Sequence, residues 1–248
     1  MIEVSNLSKV YEDKTGYKIS LLENVSFNIE EKKLTAILAP VGAGKSSLLK
    51  IISGLENQTD GEIKKDDSTK IVFIPSDPSS YPWMNVKENM LFANSGMEEN
   101  KLEEIIEAVG LAGYEDHFPD NKSMGFRFRI SLGRALCVNP ALIVIDEPFN
   151  KFDRVTKKEI YELLHQVKHN SGVAVLLGTT NVSEAIYLSD KIYLLKKNPG
   201  EIIGELEVNL GAERNEELFV SEQFTGYREK IENIFKQNNS QKLFNLTI

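Results

Sequence analysis

The sequence predicts an α/β fold with a mixed, largely parallel core sheet, an N-terminal antiparallel β subdomain and an inserted α-helical subdomain. Short apolar runs alternate with helix-like stretches along most of the chain, which is typical of parallel strands that are buried on both faces. Between Ile74 and Pro140 no convincing strand pattern occurs, and the spacing there is helical. The chain has 248 residues, 41% of them apolar, so it can form the core that this fold needs.

The order of the elements follows from the apolar spacing. The first 30 residues alternate in short bursts, as at Val25, Phe27 and Ile29, which predicts half-exposed antiparallel strands. Buried strands are predicted at residues 34–38, 71–74, 142–145, 173–177 and 192–195. Helices are predicted at 86–94, 98–110 and 123–138, and a last one from the spacing of Phe224, Tyr227, Ile231, Ile234 and Phe235. From Lys236 the tail becomes polar, and the apolar pattern of the last helix stops there.

Composition and charge exclude several classes of function. The formal net charge of -8 argues against a nucleic-acid-binding surface, which normally shows as a basic face. The single cysteine, Cys137, excludes an internal disulfide and fits a reducing compartment. There is no run of 18 apolar residues, and the N-terminus lacks the regions of a secretion signal. We therefore expect a cytoplasmic protein that contacts a membrane only through a partner.

The stretch LAPVGAGKSSLLK, residues 38–50, has the spacing of a phosphate-binding loop between a strand and a helix. Gly42 and Gly44 allow backbone N–H groups to point at phosphate oxygens, and the positive end of the helix adds to this anion site. Lys45 reaches the β and γ phosphates, and Ser46 offers a hydroxyl to Mg²⁺. The alternative, a glycine turn before an ordinary helix, accounts less well for this combination. The residues predicted to bind nucleotide here are Ala39, Pro40, Val41, Gly42, Ala43, Gly44, Lys45, Ser46 and Ser47.

Ala39 stands where such a loop normally begins with glycine. If this position needs a positive φ, alanine costs roughly 1 kcal/mol; if it needs only a small residue, the cost is slight. In either case the substitution weakens the loop rather than abolishing it.

The stretch ALIVIDEPF ends a fully apolar strand with Asp146 and Glu147. An aspartate at the C-terminal edge of such a strand typically holds Mg²⁺ in phosphate-loop ATPases. The adjacent Glu147 is then placed to polarise a water in line with the γ phosphate. A solvated acidic turn is the alternative, but a random acidic pair would be less neatly positioned. We predict ATP and Mg²⁺ as cofactors, Ser46 and Asp146 as metal ligands, and Glu147 as the catalytic residue.

These motifs and several further stretches resemble the ATP-binding cassette (ABC) ATPases, and among them the subgroup that serves nitrate, sulfonate and taurine importers. The similarity covers nearly the whole chain and includes LSKVY, LLENVSFNIE, GLENQTDGEIK, DPSSYPWMNVKENM and EPFNKFD. The stretch ELEVNLGAERNEELFVSEQFTGYREKI is also similar to the ending of the subgroup. The resemblance implies a P-loop NTPase fold of the ABC ATPase type, in which Tyr11 stacks on the adenine ring.

The resemblance also implies how the chain is divided. Residues 1–248 would form a single ABC ATPase domain. Its nucleotide-binding core, with the antiparallel β subdomain, would comprise 1–75 and 140–205. The helical subdomain would comprise 76–139, and a C-terminal helical extension would comprise 206–248.

In this family two subunits sandwich ATP between the phosphate loop of one and a signature, Leu-Ser-Gly-Gly-Gln or a close variant, of the other. The matching stretch is KSMGFRFRISLGRAL, in which Ser123 and Gly125 remain. The resemblance therefore implies that these two residues contact the nucleotide of a second subunit. Lys122 replaces the leucine and Met124 replaces the first glycine, so the Met124 side chain is expected to crowd the phosphate.

Two further positions depart from the family at groups that act in hydrolysis. Ser76 replaces a glutamine that senses Mg²⁺ and the attacking water, and Thr180 replaces a histidine that contacts the γ phosphate. The chain's own histidines lie elsewhere and are expected at the surface or in the helical subdomain: His117, His165 and His169. Groups for the β phosphate and Mg²⁺ are intact, so binding is expected to survive better than turnover.

Two functions remain open. The first is the ATPase subunit of an ABC transporter, an importer, at the inner face of the cell membrane. Its partners would be an integral-membrane permease, a second ABC ATPase subunit and a solute-binding protein. The permease would be reached through a groove near residues 76–83 and the helical subdomain. The alternative is a degenerate nucleotide-binding module with slow or no hydrolysis, paired with a more complete subunit. Cassette proteins that act on DNA or ribosomes usually carry coiled-coil arms, tandem cassettes or basic surfaces, so no nucleic-acid partner is expected for this acidic chain.

Overall fold

The computed structural model describes residues 1–77, 79–120, 122–211 and 214–244, which form two compact units. The first unit comprises Met1–Lys65 and the described part of Leu176–Ile248, and the second comprises the described part of Asp66–Val175. The predicted division into core, helical subdomain and C-terminal extension stays a prediction, and residues 212, 213 and 245–248 of that extension lie outside the described residues. Within the described ranges no helix is both long enough and apolar enough to cross a bilayer.

The described residues form strands, α-helices and short 3-10 helices. The strands are β1 (Ile2–Glu12), β2 (Lys18–Ile29), β3 (Leu34–Leu38), β4 (Asp60–Lys64), β5 (Ile71–Ile74), β6 (Leu142–Asp146), β7 (Ala174–Thr179), β8 (Lys191–Leu195) and β9 (Ile202–Glu207). The α-helices are α1 (Lys45–Ile52), α2 (Val86–Leu91), α3 (Glu99–Ala108), α4 (Met124–Cys137), α5 (Arg154–Ser171), α6 (Val182–Leu188) and α7 (Glu222–Phe244). The 3-10 helices span Pro148–Lys151 and Glu216–Val220.

The predicted α/β fold is confirmed. The five apolar runs form β3, β5, β6, β7 and β8, and the three helical patterns between Ile74 and Pro140 form α2, α3 and α4. The apolar spacing missed β4 and β9, because both strands are partly exposed and contain no continuous apolar run. The last helix, α7, continues past Lys236, where the apolar pattern stops. Residues 236–244 contain Gln, Lys and Leu, which favour a helix and offset the less favourable Asn and Ser, and the segment has neither Gly nor Pro. The backbone can therefore remain helical there without an apolar face.

An antiparallel sheet of the first unit has the strand order β2-β1-β4. Val25, Phe27 and Ile29 of β2 are buried, and the residues between them are exposed. Side chains alternate between the two faces of a strand, so this pattern means that one face of the sheet is covered. The prediction of half-exposed antiparallel strands is therefore confirmed.

The other strands of the first unit have the order β7-β3-β8-β9, with β7 contributing its residues from Leu176 onward. β3 runs parallel to β8, and β8 runs antiparallel to β9. All residues of β3 are buried, which agrees with its continuous apolar run. The loop after β3 lies beside the end of β7, because Ala39 N donates a hydrogen bond to Thr179 O at 3.2 Å.

The second unit combines parallel strands with helices. β5 runs parallel to β6, with Ile74 opposite Ile145, and Ala174 N of β7 donates to Ala141 O at 3.2 Å. Helix α4 approaches α2 closely at Gly133, where a Cβ would come 2.3 Å from Met90 Cε. Glycine at this position therefore allows the two helices to pack in contact.

Candidate functional site

The predicted phosphate loop lies in the first unit and joins β3 to α1. Gly42 has a φ of 81° and Gly44 a φ of 90°, values that residues with a side chain rarely adopt. Ala43 N donates to Pro40 O at 3.2 Å, so the loop turns back on itself. Space is also limited at Gly44, where a Cβ would come 2.8 Å from Leu22 Cδ2. The loop backbone therefore favours glycine at both positions, most strongly at Gly44, where space is also limited.

Ala39 does not have a positive φ. The residue is buried, and its N–H is used in the hydrogen bond to Thr179 O. The position therefore needs a small residue in a tight space and not the conformational freedom of glycine. Of the two possibilities that the sequence left open, the structure supports the one with a slight cost.

Lys45 begins α1 and is buried, with only 6% of the residue exposed. Gly44, the N-cap of this helix, has no side chain to cap it, and the first turn contains no acidic residue. The backbone N–H groups of this turn and the positive end of the helix dipole therefore favour an anion. In β7, Gly178 makes room for the lysine stem, since a Cβ there would come 3.1 Å from Lys45 Cγ and Cδ.

Gly200, which no sequence motif indicated as a site residue, supports the phosphate loop. A Cβ on Gly200 would come 2.4 Å from Ala43 O. The Gly200 N–H donates to Leu21 O at 2.8 Å, and its carbonyl accepts from Glu23 N at 2.9 Å. The Pro-Gly pair at 199–200 is a turn signal, but nothing in the local sequence indicates that this turn contacts residue 43.

Tyr11, predicted to stack on adenine, lies near the end of β1 with 42% of the residue exposed. Its hydroxyl oxygen lies 3.1 Å from Ser47 Oγ in α1 and donates to Glu56. Lys9 Nζ lies 3.0 Å from Glu56 Oε1 and 4.9 Å from the centre of the Tyr11 ring. The ring is therefore held beside the helix that follows the phosphate loop. Lys9 and Glu56, which hold it there, were not among the predicted site residues.

Thr180 follows β7 in the first unit and is half-buried. Its neighbour Thr179 donates from Oγ1 to the buried Glu184 at 2.7 Å and accepts from Asn181 N at 3.0 Å. The Asn181 side chain in turn caps α6 by accepting from Ser183 N and Glu184 N. These bonds fix the backbone on both sides of Thr180.

In the second unit the predicted acidic pair follows β6. Asp146 is the last residue of the strand and is buried. Glu147 has a φ of 44° and a ψ of 49°, the left-handed region, which costs a residue with a side chain roughly 1–2 kcal/mol. Its Oε2 accepts from Asn150 Nδ2 at 3.0 Å. Backbone strain of this kind is concentrated at functional sites, so it supports the role predicted for Glu147.

Buried aromatic rings hold the segment after Glu147. The Phe149 ring lies 4.9 Å from Tyr161 of α5 and 6.1 Å from Phe152, and Phe152 lies 6.0 Å from Phe128 of α4. These edge-to-face contacts fix the 3-10 helix Pro148–Lys151 against α4 and α5. The contacts thereby restrain the strained conformation of Glu147.

The two predicted signature residues lie at the start of α4. Ser123 is the N-cap, and its Oγ accepts from Phe126 N at 3.2 Å, so the hydrogen of the hydroxyl can still be donated. Gly125 is buried, and a Cβ on it would come 2.5 Å from Thr156 Cγ2 in α5. Gly125 is therefore required for the packing of α4 on α5. Met124, between the two, is half-buried.

Ser76 follows β5 and is exposed, and its neighbour Asp77 forms an ion pair with Lys151. All three histidines lie in the second unit. His117 and His169 are exposed, as expected, and His165 on α5 is half-buried.

The described parts of the chain contain no group of three or more His, Cys, Asp or Glu side chains that could hold a metal ion. Mg²⁺ is usually held by one or two protein oxygens together with substrate phosphates and water. Ser46, exposed in the first turn of α1, and Asp146, at the end of β6, each carry an oxygen of the type that Mg²⁺ prefers. Both stay predicted Mg²⁺ ligands.

The chain is similar to known proteins over nearly its whole length. Residues 22–150 match the family described as ABC transporter. The aliphatic sulfonates import ATP-binding protein SsuB of Bacillus anthracis is 33% identical over 239 residues, which cover 93% of this chain and 94% of the relative. The uncharacterized ABC transporter ATP-binding protein MJ0412 of Methanocaldococcus jannaschii is 31% identical over 249 residues, and the match covers 95% of this chain and 91% of the relative.

Solved structures show the same fold. The dimeric structure of MJ0796, a bacterial ABC transporter cassette, has a TM-score of 0.72 and 27% identity, and the match covers 84% of this chain and 99% of that one. A post-hydrolysis state of MJ0796 bound to ADP and Pi has a TM-score of 0.71 and 28% identity, with the same shares covered.

Proposed function

The chain belongs to the ABC transporter family as an ATP-binding protein, and on this premise we propose that it binds Mg²⁺–ATP and hydrolyses the ATP to drive import of a solute. The observation that carries the proposal is the loop after β3. Two glycines with positive φ, a buried lysine and a helix start without a side-chain cap form an environment complementary to phosphate. Import is proposed as the direction because the relatives include sulfonate import proteins.

The site residues have separate roles in this proposal. Lys45 binds the β and γ phosphates, and Tyr11 stacks on the adenine. When bound, Mg²⁺ neutralises charge on these phosphates, and Ser46 and Asp146 are the residues proposed to hold it. Glu147 orients the attacking water by accepting a hydrogen bond from it and, as the general base, takes its proton. The hydrogen bond from Asn150 to Glu147 is suited to keep that carboxylate in one orientation.

We propose that two cassettes act as a pair, with Ser123 and Gly125 of one facing the nucleotide of the other. The dimeric form and the ADP and Pi of the MJ0796 structures support this arrangement. The Ser123 hydroxyl can accept from Phe126 N and donate its own hydrogen to a γ phosphate at the same time.

The segment 79–85 is proposed to contact the permease, which would keep the chain at the inner face of the membrane. Trp83 is 69% exposed and stacks on Tyr81 at 5.5 Å. The buried Asn89 side chain fixes this segment by donating to the carbonyl oxygens of Tyr81, Met84 and Asn85. A rigid segment with an exposed tryptophan is suited to bind another protein. A solute-binding protein would deliver the solute to that permease.

A second candidate function is nucleotide binding with slow or no hydrolysis. Ser76, Met124 and Thr180 stand at positions where the resemblance places groups that bind the γ phosphate or align the attacking water. In such a module the phosphate loop would still hold Mg²⁺–ATP, and a more complete partner cassette would supply the turnover.

Steady-state ATPase activity of the purified chain separates the two candidates. For the ATPase, Glu147→Gln should lower the rate by about 100-fold or more, because a general base contributes that much. Glu162→Gln, an exposed glutamate on α5, serves as the control and should leave the rate unchanged. A wild-type rate no higher than that of Glu147→Gln, with nucleotide binding retained, would support the slow module.

Copurification tests the partner. The tagged chain is isolated from a detergent extract of its own cells, and the integral-membrane protein that copurifies is identified by mass spectrometry. Trp83→Ala should reduce recovery of the membrane protein, whereas Phe118→Ala, another exposed aromatic of the second unit, should not. Recovery of nucleic acid in place of a membrane protein would contradict the transporter proposal.

A further inference from the structure

The Tyr11 ring is fixed by residues outside the predicted site. Lys9 and Tyr11 are two positions apart in β1, so their side chains leave the same face of the strand. Lys9 Nζ lies over the Tyr11 ring at 4.9 Å from its centre, and the attraction between a cation and a ring favours this position. The ammonium group lies over one face of the ring, and 42% of the Tyr11 residue is exposed, so part of Tyr11 remains accessible to a ligand.

Glu56, in the turn after α1, links Lys9 to the Tyr11 hydroxyl. Its carboxylate accepts from Tyr11 and lies 3.0 Å from Lys9 Nζ, and Lys9 also donates to Asn57 O at 2.6 Å. The Lys9 and Glu56 side chains are only 13% and 21% exposed. An ion pair shielded in this way and completed by further hydrogen bonds holds a defined geometry better than an exposed one.

The ionisation of this group agrees with its geometry. Burial by itself raises the pKa of Glu56, but the hydrogen bonds from Tyr11 and Lys9 outweigh it, so the pKa lies below its usual value. Burial and the bond to Glu56 raise the pKa of Tyr11. At neutral pH the carboxylate is therefore charged and the phenol keeps the hydrogen that it donates.

We propose that Lys9 and Glu56 are positioning residues for the base of a nucleoside triphosphate. They hold the Tyr11 ring against Ser47 of the phosphate-loop helix, so that base and phosphates bind to groups whose separation is already set. This inference rests on the proposed function, because it assumes that the phosphate loop binds the triphosphate of the same ligand. We expect a gain in nucleotide affinity, because the ring is ordered before binding and does not have to be immobilised by the ligand.

Substitution of Lys9 or Glu56 should therefore weaken binding of a ligand that carries a base and leave binding of the triphosphate part unchanged. Binding of a non-hydrolysable ATP analogue and of inorganic tripolyphosphate, both with Mg²⁺, is measured by calorimetry. Lys9→Met and Glu56→Gln should each lower the affinity for the ATP analogue by about three- to tenfold, which is the effect of losing one pre-ordered side chain. Tripolyphosphate has no base, so its affinity should stay the same.

Three controls separate positioning from charge and from folding. Lys18→Met removes an exposed lysine of β2 and should change neither affinity. Lys9→Arg keeps the cation and should retain affinity for the analogue. In a Tyr11→Ala background Lys9→Met should have no further effect, because the ring that it positions is absent. Thermal unfolding of each variant verifies that it is folded.

Each other result would overturn a specific statement. If Lys9→Met lowered the affinity for the analogue and the affinity for tripolyphosphate equally, only charge or folding would have changed. The positioning role would then be wrong. Unchanged analogue affinity in both variants, with normal wild-type binding, would also overturn that role and leave the proposed function standing. A wild-type chain that binds neither ligand would overturn the proposed function itself.

Discussion

The backbone of Gly200 lies against the carbonyl oxygen of Ala43 in the phosphate loop, so closely that a Cβ at Gly200 would fall 2.4 Å from that oxygen. Hydrogen bonds to Leu21 and Glu23 hold Gly200 in place. A side chain at this position can therefore be accommodated only if the loop itself moves.

Gly200→Ala should distort the phosphate loop. We expect the free energy of unfolding to fall by about 1–3 kcal/mol, as for other overpacked sites, and nucleotide affinity to fall with it. Gly226→Ala is the control, because among the described residues nothing beyond the adjacent residues and the backbone of its own helix lies within 4 Å of a Cβ there. Alanine also favours a helix by about 0.5–1 kcal/mol. Calorimetric ATP-analogue binding that is normal in Gly200→Ala would contradict this support for the loop.

Ala39→Gly tests whether the missing first glycine is a defect. Because φ at this residue is not positive, glycine offers no conformational advantage. We expect unchanged affinity for an ATP analogue, and a loss of stability of about 0.4–1 kcal/mol from the greater freedom of the unfolded chain. Both can be measured by calorimetry and urea unfolding. Tighter binding by tenfold or more would mean that this position does limit the loop.

Thr180→His should raise the ATPase rate. Thr180 is only half-buried, so we expect the larger side chain to be tolerated, and the bonds of Thr179 and Asn181 keep the backbone around it in place. One well-placed donor to a developing charge is worth about 100- to 1,000-fold in rate, and we expect about tenfold or more for this variant because Ser76 and Met124 remain altered. Thr180→Leu adds bulk without a donor and should give no gain. Equal rates in both variants would show that Thr180 does not limit turnover.

The parts of this protein that depend on local patterns were predictable from its sequence. The apolar runs that became β3 and β6 and the glycine spacing at Gly42 and Gly44 are such patterns, and the structure has strands and positive φ values where they indicated. The contact of Gly200 with the loop was not predictable, because residues far apart in the chain meet there.

Other features could not be predicted because they depend on tertiary geometry. Ala39 has no positive φ and donates its N–H to Thr179 O, a residue far away in the sequence, and no neighbouring residue indicated either feature. The Lys9 and Glu56 contacts with Tyr11 join a strand to a turn beyond α1. In the same way, Gly125 matched a signature position, but no local pattern indicated that it also packs against α5.

The pH dependence of stability should include a contribution from Asp153, the N-cap of α5. Hydrogen bonds from the backbone N–H and the side chain of Thr156 lower the Asp153 pKa from its ordinary value of 3.8. A lowered pKa in the folded state stabilises the protein at pH above 3.8, and the effect is lost as the pH falls through the folded-state pKa. Urea midpoints of wild type and Asp153→Asn should therefore differ most at neutral pH and converge in acid. A difference that does not change with pH would contradict the assignment.

The close approach of Gly125 to Thr156 can be tested with a compensating pair of substitutions. In Gly125→Ala the new Cβ would meet Thr156 Cγ2 at 2.5 Å, whereas the next nearest atom, Thr156 Cβ, is at 3.8 Å, an ordinary contact. We expect Gly125→Ala to lower the free energy of unfolding by about 1–3 kcal/mol. Thr156→Ser removes only the methyl group and keeps the hydroxyl that donates to Asp153, so the double variant should regain most of this loss. Denaturant unfolding of the two single variants and the double variant gives the coupling energy between the sites. A double variant as unstable as Gly125→Ala would mean that the contact with the Thr156 methyl group does not explain the glycine.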